Sequence, residues 1–533
     1  MSAENRVMGI ESEYGLAYAL QLTEEQRQWR SARDLPPDAW GADPDSAITK
    51  AYANYLPEDL PRAARSPAFL GNGMRLYQDV GSHPEAAGAE STVLQDIIDG
   101  DIAADKLLWR TLSKAYKAGA IRNFMLLRRT LDAQGTTWGR HENYRMNREL
   151  MRLPESESSR ISTVKLGELA PFLAVRPLTG GAGCLHNGEF WMGQKITSAV
   201  EDVGSSTTHS KPLVNTRDEP QGTGYRHHVV CVDFTSPHVT AANMAATSLA
   251  LRMIEHRRGP QLQAPYPNWA FFGRFAATDL SFSYAANVAG KTMTGLDVHE
   301  LYLEHADRMP QELLSPNEMF GLTAWHAMFD RLKKVQQIAK EASPDDRAMA
   351  IRQAIGEHLV GQVDWASRFD YLSQRSSWEV RQHKNSETGI TFANTTASAA
   401  QADINYDLVG KGTGLGRKYV DRLQAPNAAP YVDDTRVERR ILHAPATGRA
   451  ALREKFLYEF AGDPNTTADW AHIGFAVPEL GQLRMQYHKM PDPESSDASE
   501  LDEFIAMAKR IQPKSLALYE ALQREREDRR LAM

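Results

Sequence analysis

Several side chains capable of acid–base or ligand chemistry lie within one short segment, residues 71–90. They are Arg75, Tyr77, Asp79, His83, Glu85 and Glu90. Because side chains alternate along a strand, an extended Met74–Asp79 segment puts Arg75, Tyr77 and Asp79 on one face. A strand with a solvated polar face is the alternative. The glycines, the His-Pro pair and the two further carboxylates downstream favour a functional site.

Oxygen donors from separate parts of the chain predict a magnesium site. The candidates are Glu11, Glu13, Tyr77, Glu85, Glu90 and Glu142. Such hard oxygen ligands suit Mg²⁺, whereas zinc would need His or Cys. Magnesium in an oxygen-rich site usually accompanies a nucleotide phosphate, and Arg75 and Arg217 could pair with phosphate oxygens. Neither a Walker-A sequence nor a Rossmann glycine fingerprint occurs, so those two nucleotide folds are excluded.

Asp79 is the candidate general base. It lies two residues after Tyr77, on the same predicted face. Near a divalent cation its carboxylate would stay ionised, which suits a base that takes a proton from an attacking amine or water. The alternative is a turn residue at the end of the strand. His83 precedes Pro84 and is predicted to shape the turn.

Composition bounds the class of protein. The chain has 533 residues, of which 42% are apolar and 24% charged, as in a globular enzyme. A net charge of −7 argues against a general nucleic-acid binder. No long apolar run and no export signal is evident, so we expect a cytoplasmic protein without a membrane segment. Cys184 and Cys231 are too few for a disulfide framework or a four-cysteine zinc site.

The pattern of strands and helices predicts an α+β fold. Residues 6–20 are predicted to form a first strand carrying Glu11 and Glu13, and a second strand is predicted over 71–79. Other predicted elements are a short helix over Ser46–Tyr55, a helix over Thr92–Ala118, strands over Phe124–Arg129 and Tyr225–Asp233, helices over Ala241–His256, Thr323–Ala342 and Asp345–Val360, and a terminal helix over Leu501–Leu531.

The chain is too long for a single core, which stops growing near about 250–300 residues. We therefore predict a large catalytic domain over residues 1–400 and a smaller C-terminal domain over residues 401–533. Pro426–Pro430 is a Pro- and Ala-rich linker candidate within the second part. No internal repeat is evident.

Five ordered blocks resemble the Pup ligase and depupylase family, relatives of glutamine synthetase. They read MGIESEYG, GNGMRLYQDVGSHPE, GRHENY, SSTTHSKPLVNTRDEP and YRHHVVCVD. Weaker blocks in the second domain read ADINYDLVGKGTGLG, TGRAALRE and ADWAHI. The resemblance thus covers nearly the whole chain.

This resemblance implies a glutamine synthetase-like cradle of antiparallel strands that holds ATP and Mg²⁺, with the small C-terminal domain closing one side. It implies metal ligation by Glu11, Tyr77 and Glu85, contacts to ATP by Arg75 and Trp470, and proton transfer by Asp79. Trp470 carries no signal in the sequence pattern and would otherwise be interpreted as a core residue.

The family's ligases use ATP to phosphorylate the side chain of the C-terminal glutamate of the small protein Pup, and a lysine of a target protein then attacks. The depupylases hydrolyse the resulting bond. The sequence motifs DVGSHPE and SSTTHSKP resemble those of the ligase branch. The long connection between Glu13 and Gly71 resembles a depupylase insert, but it precedes the predicted helix, whereas the depupylase loop follows it.

Departures from the family pattern indicate a divergent member. Arg128-Arg129-Thr130 replaces Lys-Asn-Asn, Ala86 replaces Tyr, Gly88 replaces Thr, and Gln221 replaces His. An ATP-dependent ligase for a Pup-like modifier is therefore the first hypothesis. A depupylase, a catalytically silent modifier-binding homologue and a small-molecule glutamate–amine ligase are the alternatives. The sequence identifies neither the modifier nor the targets, nor whether a proteasome acts downstream.

Overall fold

The computed structural model describes most of the chain. The described residues are 3–20, 24–32, 54–64, 69–79, 83–151, 163–207, 211–219, 221–262, 268–288, 290–410, 413–414, 416, 418–420, 432–477, 483–487, 490, 492–495 and 498–531. The predicted linker Pro426–Pro430 and all but the last two residues of the predicted helix Ser46–Tyr55 lie outside them.

Short strands occur throughout the described chain. They are β1 Met8–Glu13, β2 Gly15–Leu20, β3 Arg75–Gln78, β4 Pro84–Ala87, β5 Ile121–Leu127, β6 Arg140–Met146, β7 Cys184–His186, β8 Glu189–Trp191, β9 Ala199–Gly204, β10 Lys211–Asn215, β11 Tyr225–Val229, β12 Ala285–Val288, β13 Lys291–Thr294, β14 Glu379–Gln382, β15 Ile390–Ala393, β16 Val409–Gly410, β17 Thr413–Gly414, β18 Thr466–Ala468, β19 Ile473–Val477 and β20 Leu483–Gln486.

The helices separate and cover these strands. They are α1 Glu24–Ser31, α2 Leu94–Lys117, α3 Arg148–Met151, α4 Thr163–Gly167, α5 Ala170–Gly180, α6 Pro237–Glu255, α7 Trp269–Ala276, α8 Gly295–Asp307, α9 Pro316–Glu341, α10 Arg347–His358, α11 Asp364–Ser373, α12 Ala397–Tyr406, α13 Asp434–Leu442, α14 Arg449–Glu459 and α15 Ala498–Leu531, with 3₁₀ turns at Lys195–Ser198 and Gln311–Leu313. None of the helices in the described ranges is long and apolar enough to cross a bilayer.

A five-stranded sheet of order β11-β6-β1-β4-β3 forms the centre of the fold, and all of its pairs are antiparallel. The predicted α+β class with an antiparallel sheet cradle is confirmed. The predicted strand over residues 6–20 is instead two strands. They divide at Tyr14, which is buried and whose hydroxyl donates to Asp105 Oδ1 at 2.7 Å, and β2 pairs with β5 in a separate sheet.

The back face of the central sheet is the core face. Ile10, Leu76, Ala86 and Tyr144 are buried there, in the cluster that also contains the apolar residues of α2 and α6. Helix α2 suits this position because its apolar residues recur at helical spacing, with Asp96 in its first turn and basic residues in its last.

Ionic groups are buried behind this sheet as a connected network. Asp101 of α2 accepts from Arg140 at 3.0 and 3.2 Å and from the Ser12 hydroxyl at 3.2 Å. Arg128 lies between Asp101 and Asp105, the latter at 2.6 Å. Burial alone would raise the pKa of Asp101, but Arg128 and Arg140 outweigh burial and hold that pKa below its usual value.

A second, smaller hydrophobic cluster forms around α14, β18, β19 and the first turns of α15, and it also includes Ala63 and Phe69. Residues as late as Val437 and Ile441 belong to the larger cluster. The division into residues 1–400 and 401–533 stays a prediction.

The Asp101 network gives a test of stability. We expect Asp101→Asn to lower the free energy of unfolding at pH 7 by about 3–5 kcal/mol, because it leaves two buried guanidinium groups without their shared carboxylate. A carboxyl whose folded pKa is lowered stabilises the fold above its unfolded pKa, and this contribution is lost as pH falls through the folded pKa. The difference in the free energy of unfolding between the variant and the unchanged protein, measured in urea, should therefore shrink on acidification.

Glu304→Gln, at an exposed helical ion pair with Arg308, is the control and should change the free energy of unfolding little. A difference that grows on acidification would contradict this account.

Candidate functional site

The register of the central sheet arranges polar side chains on its front face in rows that run across the strands. Glu13 of β1 lies opposite Glu85 of β4, and Glu85 lies opposite Tyr77 of β3. Paired residues of an antiparallel sheet point to the same face, about 4.5–5.5 Å apart. Two carboxylates and a phenol therefore form one row. Pro84 begins β4, the position in a strand where a missing backbone N–H is tolerated.

Asp79 completes an acidic cluster with this row. Its backbone N–H donates to His83 O at 3.0 Å, which fixes the end of β3. Carboxylate oxygens of Glu13, Asp79 and Glu85 lie within 4.8 Å of one another. The sequence therefore predicted correctly that Tyr77, Asp79 and Glu85 lie together, and Glu13 joins them.

The cluster carries more negative charge than its surroundings balance. Burial raises the pKa of Glu85 well above its usual value, and the charges of Glu11 and Glu13 add to this shift. Burial likewise raises the pKa of Glu13, against the effect of His141. Burial and the Glu85 charge also raise the pKa of the Tyr77 phenol. A group of oxygen ligands with few cationic side chains beside it fits a divalent cation.

A second row contains Arg75, Ala87, Glu11 and His141, which are opposite one another across β3, β4, β1 and β6. The Arg75 guanidinium lies 4.1 Å from the centre of the Tyr77 ring, and its buried Nε has no hydrogen-bond partner among the described residues. A buried donor of this kind is available to a phosphate oxygen.

Glu11 lies on the front face of the sheet between Arg75 and the polar side chains of β6 and β11. Its Oε2 is 3.3 Å from His141 Nδ1, and its Oε1 accepts from Asn143 Nδ2 at 3.0 Å. Arg226 lies 3.4 Å from the same Oε1, and His228 accompanies His141 in an edge contact at 4.5 Å. Burial opposes ionisation of Glu11, but the hydrogen bond from His141 and the neighbouring cations outweigh it and lower its pKa.

A pocket opens beside Glu11. Its floor is the sheet, with Gly9, Glu11, Gly88, Asn143 and Arg226 among the lining residues. Its outer wall is formed by residues outside the strands of the sheet, namely Gln221, Thr223, Arg449, Trp470 and Pro493. Tyr225 of β11 also lines the pocket. Trp470, which sequence pattern alone would have placed in a core, therefore lines the pocket predicted to hold the nucleotide.

Arg217 is not brought into this pocket. Its side chain is half-exposed, and its Nε lies 2.8 Å from Glu219 Oε1. The arginines among the described residues that line the pocket are Arg145, Arg226 and Arg449, none of which the sequence singled out.

The ring of His83 stacks on Trp138 at 4.5 Å, and its Nδ1 is 3.1 Å from Tyr14 O. Residues 80–82 lie outside the described residues, so the turn role of His83 stays a prediction.

Two of the proposed oxygen ligands are corrected. Glu142 lies on the back face of β6, fully buried, where Arg176 is 2.7 Å from its Oε2. Glu90 is engaged in ion pairs with Arg449 and Arg453.

The prediction for Glu142 is wrong about which face of β6 points to the site. Glu142 and Tyr144 share one face of β6, and that face is the core. The intervening residues His141 and Asn143 face the site, and alternation along GRHENY would have found them once Glu11 was fixed.

Comparisons with known proteins were made for the whole chain. The sequence model of the family described as Pup-ligase protein matches residues 6–474. The Pup–protein ligase of Acidimicrobium ferrooxidans is 29% identical over 522 residues, which cover 94% of this chain and 98% of the relative. That of Corynebacterium diphtheriae is also 29% identical and covers 94% of each chain.

Solved structures resemble the fold. The ligase PafA in complex with prokaryotic ubiquitin-like protein Pup superposes with a TM-score of 0.68 at 23% identity, covering 97% of this chain and 94% of that one. PafA in complex with ADP gives a TM-score of 0.63 at 24% identity, covering 92% and 96%. At these identities the likeness concerns the fold.

Gly139 tests the geometry of the acidic cluster. Its N–H donates to Glu13 Oε1 at 2.7 Å, and a Cβ there would collide with that oxygen and lie 2.7 Å from His141 Cε1. We expect Gly139→Ala to displace the Glu13 carboxylate and weaken binding of the probe cation Mn²⁺ about tenfold, as loss of a ligand's supporting bond commonly does. The affinity can be measured by electron paramagnetic resonance. Gly356→Ala is the control, because a Cβ at that position meets nothing within 4 Å. Equal affinities in both variants would exclude Glu13 from the cation site.

Proposed function

Because this chain belongs to the Pup ligase family, we propose that it uses ATP to join the C-terminal glutamate of a Pup-like modifier to lysines of target proteins. The bond formed is an isopeptide between the glutamate side-chain carboxyl and the lysine amine. The curated relatives are named Pup–protein ligases, and they match this chain over nearly its full length. This agreement favours the ligase over the depupylase.

The observation that carries the proposal is that the pocket and the acidic cluster meet at Glu11. Glu11 lines the pocket and is two residues from Glu13 on the same face of β1. Arg75 lies in the same row of side chains as Glu11, and its Nε has no hydrogen-bond partner in the part of the chain that the structure describes. A nucleotide in the pocket would thus have its phosphates near the cluster.

We assign Mg²⁺ to the ligands Glu11, Tyr77 and Glu85, with Glu13 as a neighbouring carboxylate of the same site. The fit rests on the donor set, since Glu85 and Tyr77 are hard oxygen ligands whose pKa values are raised by burial and by neighbouring negative charge. When bound, the ion would neutralise charge on the transferring phosphoryl group. We assign ATP contacts to Arg75 and Trp470. The contact by Arg217 stays a prediction from the sequence.

The chain's own residues account for the chemistry that follows. Carboxylate oxygen is a poor leaving group and phosphate a good one, so transfer of phosphate from ATP to the glutamate side chain prepares that carbon for attack. Only a neutral amine is nucleophilic, and Asp79 is the base that we assign to the lysine proton. Its partly exposed position beside Glu13 and Glu85 leaves it accessible from solvent. The cytoplasmic location expected from the sequence stays a prediction.

Asp79→Asn tests the assigned base. We expect the rate of conjugation, followed by the appearance of modified target on gels, to fall by about 10²–10⁴, the usual contribution of a general base. Binding of Mg²⁺–ATP in a calorimeter should persist, because Asp79 is not an assigned metal or nucleotide ligand.

Asp307→Asn is the matched control, since this exposed carboxylate forms a surface ion pair with His326 at 2.8 Å. Unchanged conjugation in Asp79→Asn would exclude the base role. Loss of ATP binding together with conjugation would move Asp79 to the metal ligands.

A preformed conjugate distinguishes ligase from depupylase. Incubated with the enzyme and ATP, the conjugate should persist while free modifier is consumed by added target. Release of free target without net ligation would overturn the ligase assignment.

A further inference from the structure

Glu90 forms a buried ion triad with two arginines of α14. Arg453 donates to Glu90 Oε2 at 2.6 Å and to Oε1 at 3.0 Å, and Arg449 donates to Oε1 through its Nε. The Arg453 side chain is fully buried and that of Arg449 is 5% exposed. Burial opposes ionisation of Glu90, but the two guanidinium groups lower its pKa to about 2.

Each arginine also holds part of the pocket's outer wall. Arg449 donates to the carbonyl oxygens of Gln221 at 2.6 Å and Met490 at 3.3 Å. Its backbone N–H donates to Pro493 O at 3.2 Å. Arg449 therefore holds Gln221 through its side chain and Pro493 through its backbone, and both residues line the pocket.

Arg453 supports the wall at Trp470. Its guanidinium lies 5.2 Å from the Trp470 ring centre, and its Nη1 donates to Trp470 O at 3.2 Å. The same ring is in an edge contact with Phe69, with the ring centres 5.1 Å apart. The orientation of the indole thus depends on a guanidinium that Glu90 holds in place.

Gln221 needs this support for a separate reason. It has a φ of 51°, in the left-handed region that side-chain-bearing residues rarely adopt. Such conformations persist where surrounding contacts determine them. The bond from Arg449 is one such contact.

We propose that Glu90 is a positioning residue for the nucleotide pocket, acting through Arg449 and Arg453 on Gln221 and Trp470. This inference rests on the proposed function, since it takes the pocket to be the ATP site. The Glu90 carboxylate is occupied by the arginines, and it acts on the walls rather than on the nucleotide.

The test compares two buried carboxylates that each join two arginines. Asp403 lies 2.9 Å from Arg129 and 3.0 Å from Arg368, and it does not line the pocket. Glu90→Gln and Asp403→Asn should both lower the midpoint of thermal unfolding. Only Glu90→Gln should raise the dissociation constant for Mg²⁺–ATP and the KM for ATP, by about ten- to a hundredfold, the usual effect of losing charge-assisted hydrogen bonds.

The kinetic pattern separates positioning from general destabilisation. With saturating ATP, the kcat for conjugation in Glu90→Gln should stay within about threefold of the unchanged enzyme, because the reacting groups lie elsewhere on the sheet. Glu90→Asp keeps the charge and should recover part of the affinity, and it serves as the second variant if Glu90→Gln does not fold.

The outcomes distinguish this inference from the proposed function. If the unchanged protein does not bind Mg²⁺–ATP, the proposed function fails. If it binds ATP and the Glu90 variants bind it equally well, or if Asp403→Asn weakens binding to the same extent, only the positioning role of Glu90 is overturned.

Discussion

The pairing of β4 between β1 and β3 is the constraint on which the site depends. A strand displays alternate side chains on opposite faces, so a slip of one residue would send Glu85 into the core and Ala86 into the site. The register is held from behind by the apolar packing of Ile10, Leu76 and Ala86 against α2. Apolar burial on one face thus sets the chemistry of the other.

Carboxylates on the two faces of the sheet differ in whether cationic side chains balance their charge. Behind it, Asp101 is matched by arginines at hydrogen-bond distance, and its charge is satisfied within the fold. On the front, Glu13, Asp79 and Glu85 face one another with a shared excess of negative charge. The charge of Asp101 is therefore balanced within the fold, whereas the charges of Glu13, Asp79 and Glu85 are not. The difference is whether the folded chain places a cationic side chain beside the carboxylate.

The sequence predicted the sheet side of the site well. Alternation within a single strand grouped Arg75 with Tyr77, the set of oxygen donors added Glu11 and Glu85, and the family resemblance supplied the role of each. The sequence did not predict which face of β6 points to the site, because HENY carries polar residues on both faces. Only the pairing of Glu11 with His141 decides between the two faces. Nor could it predict the bonds of Glu90, whose partners are more than 350 residues away in the chain, as the separation of 359 residues from Arg449 shows.

That separation also bears on when the protein becomes competent during its own synthesis. The sheet, the acidic cluster and the floor of the pocket are all encoded before residue 230. The outer wall requires Arg449, Trp470 and Pro493, which leave the ribosome long after the strands of the sheet. A nascent chain therefore carries its acidic residues for most of translation without a finished pocket, and the enzyme is assembled only when its C-terminal part folds back onto the sheet.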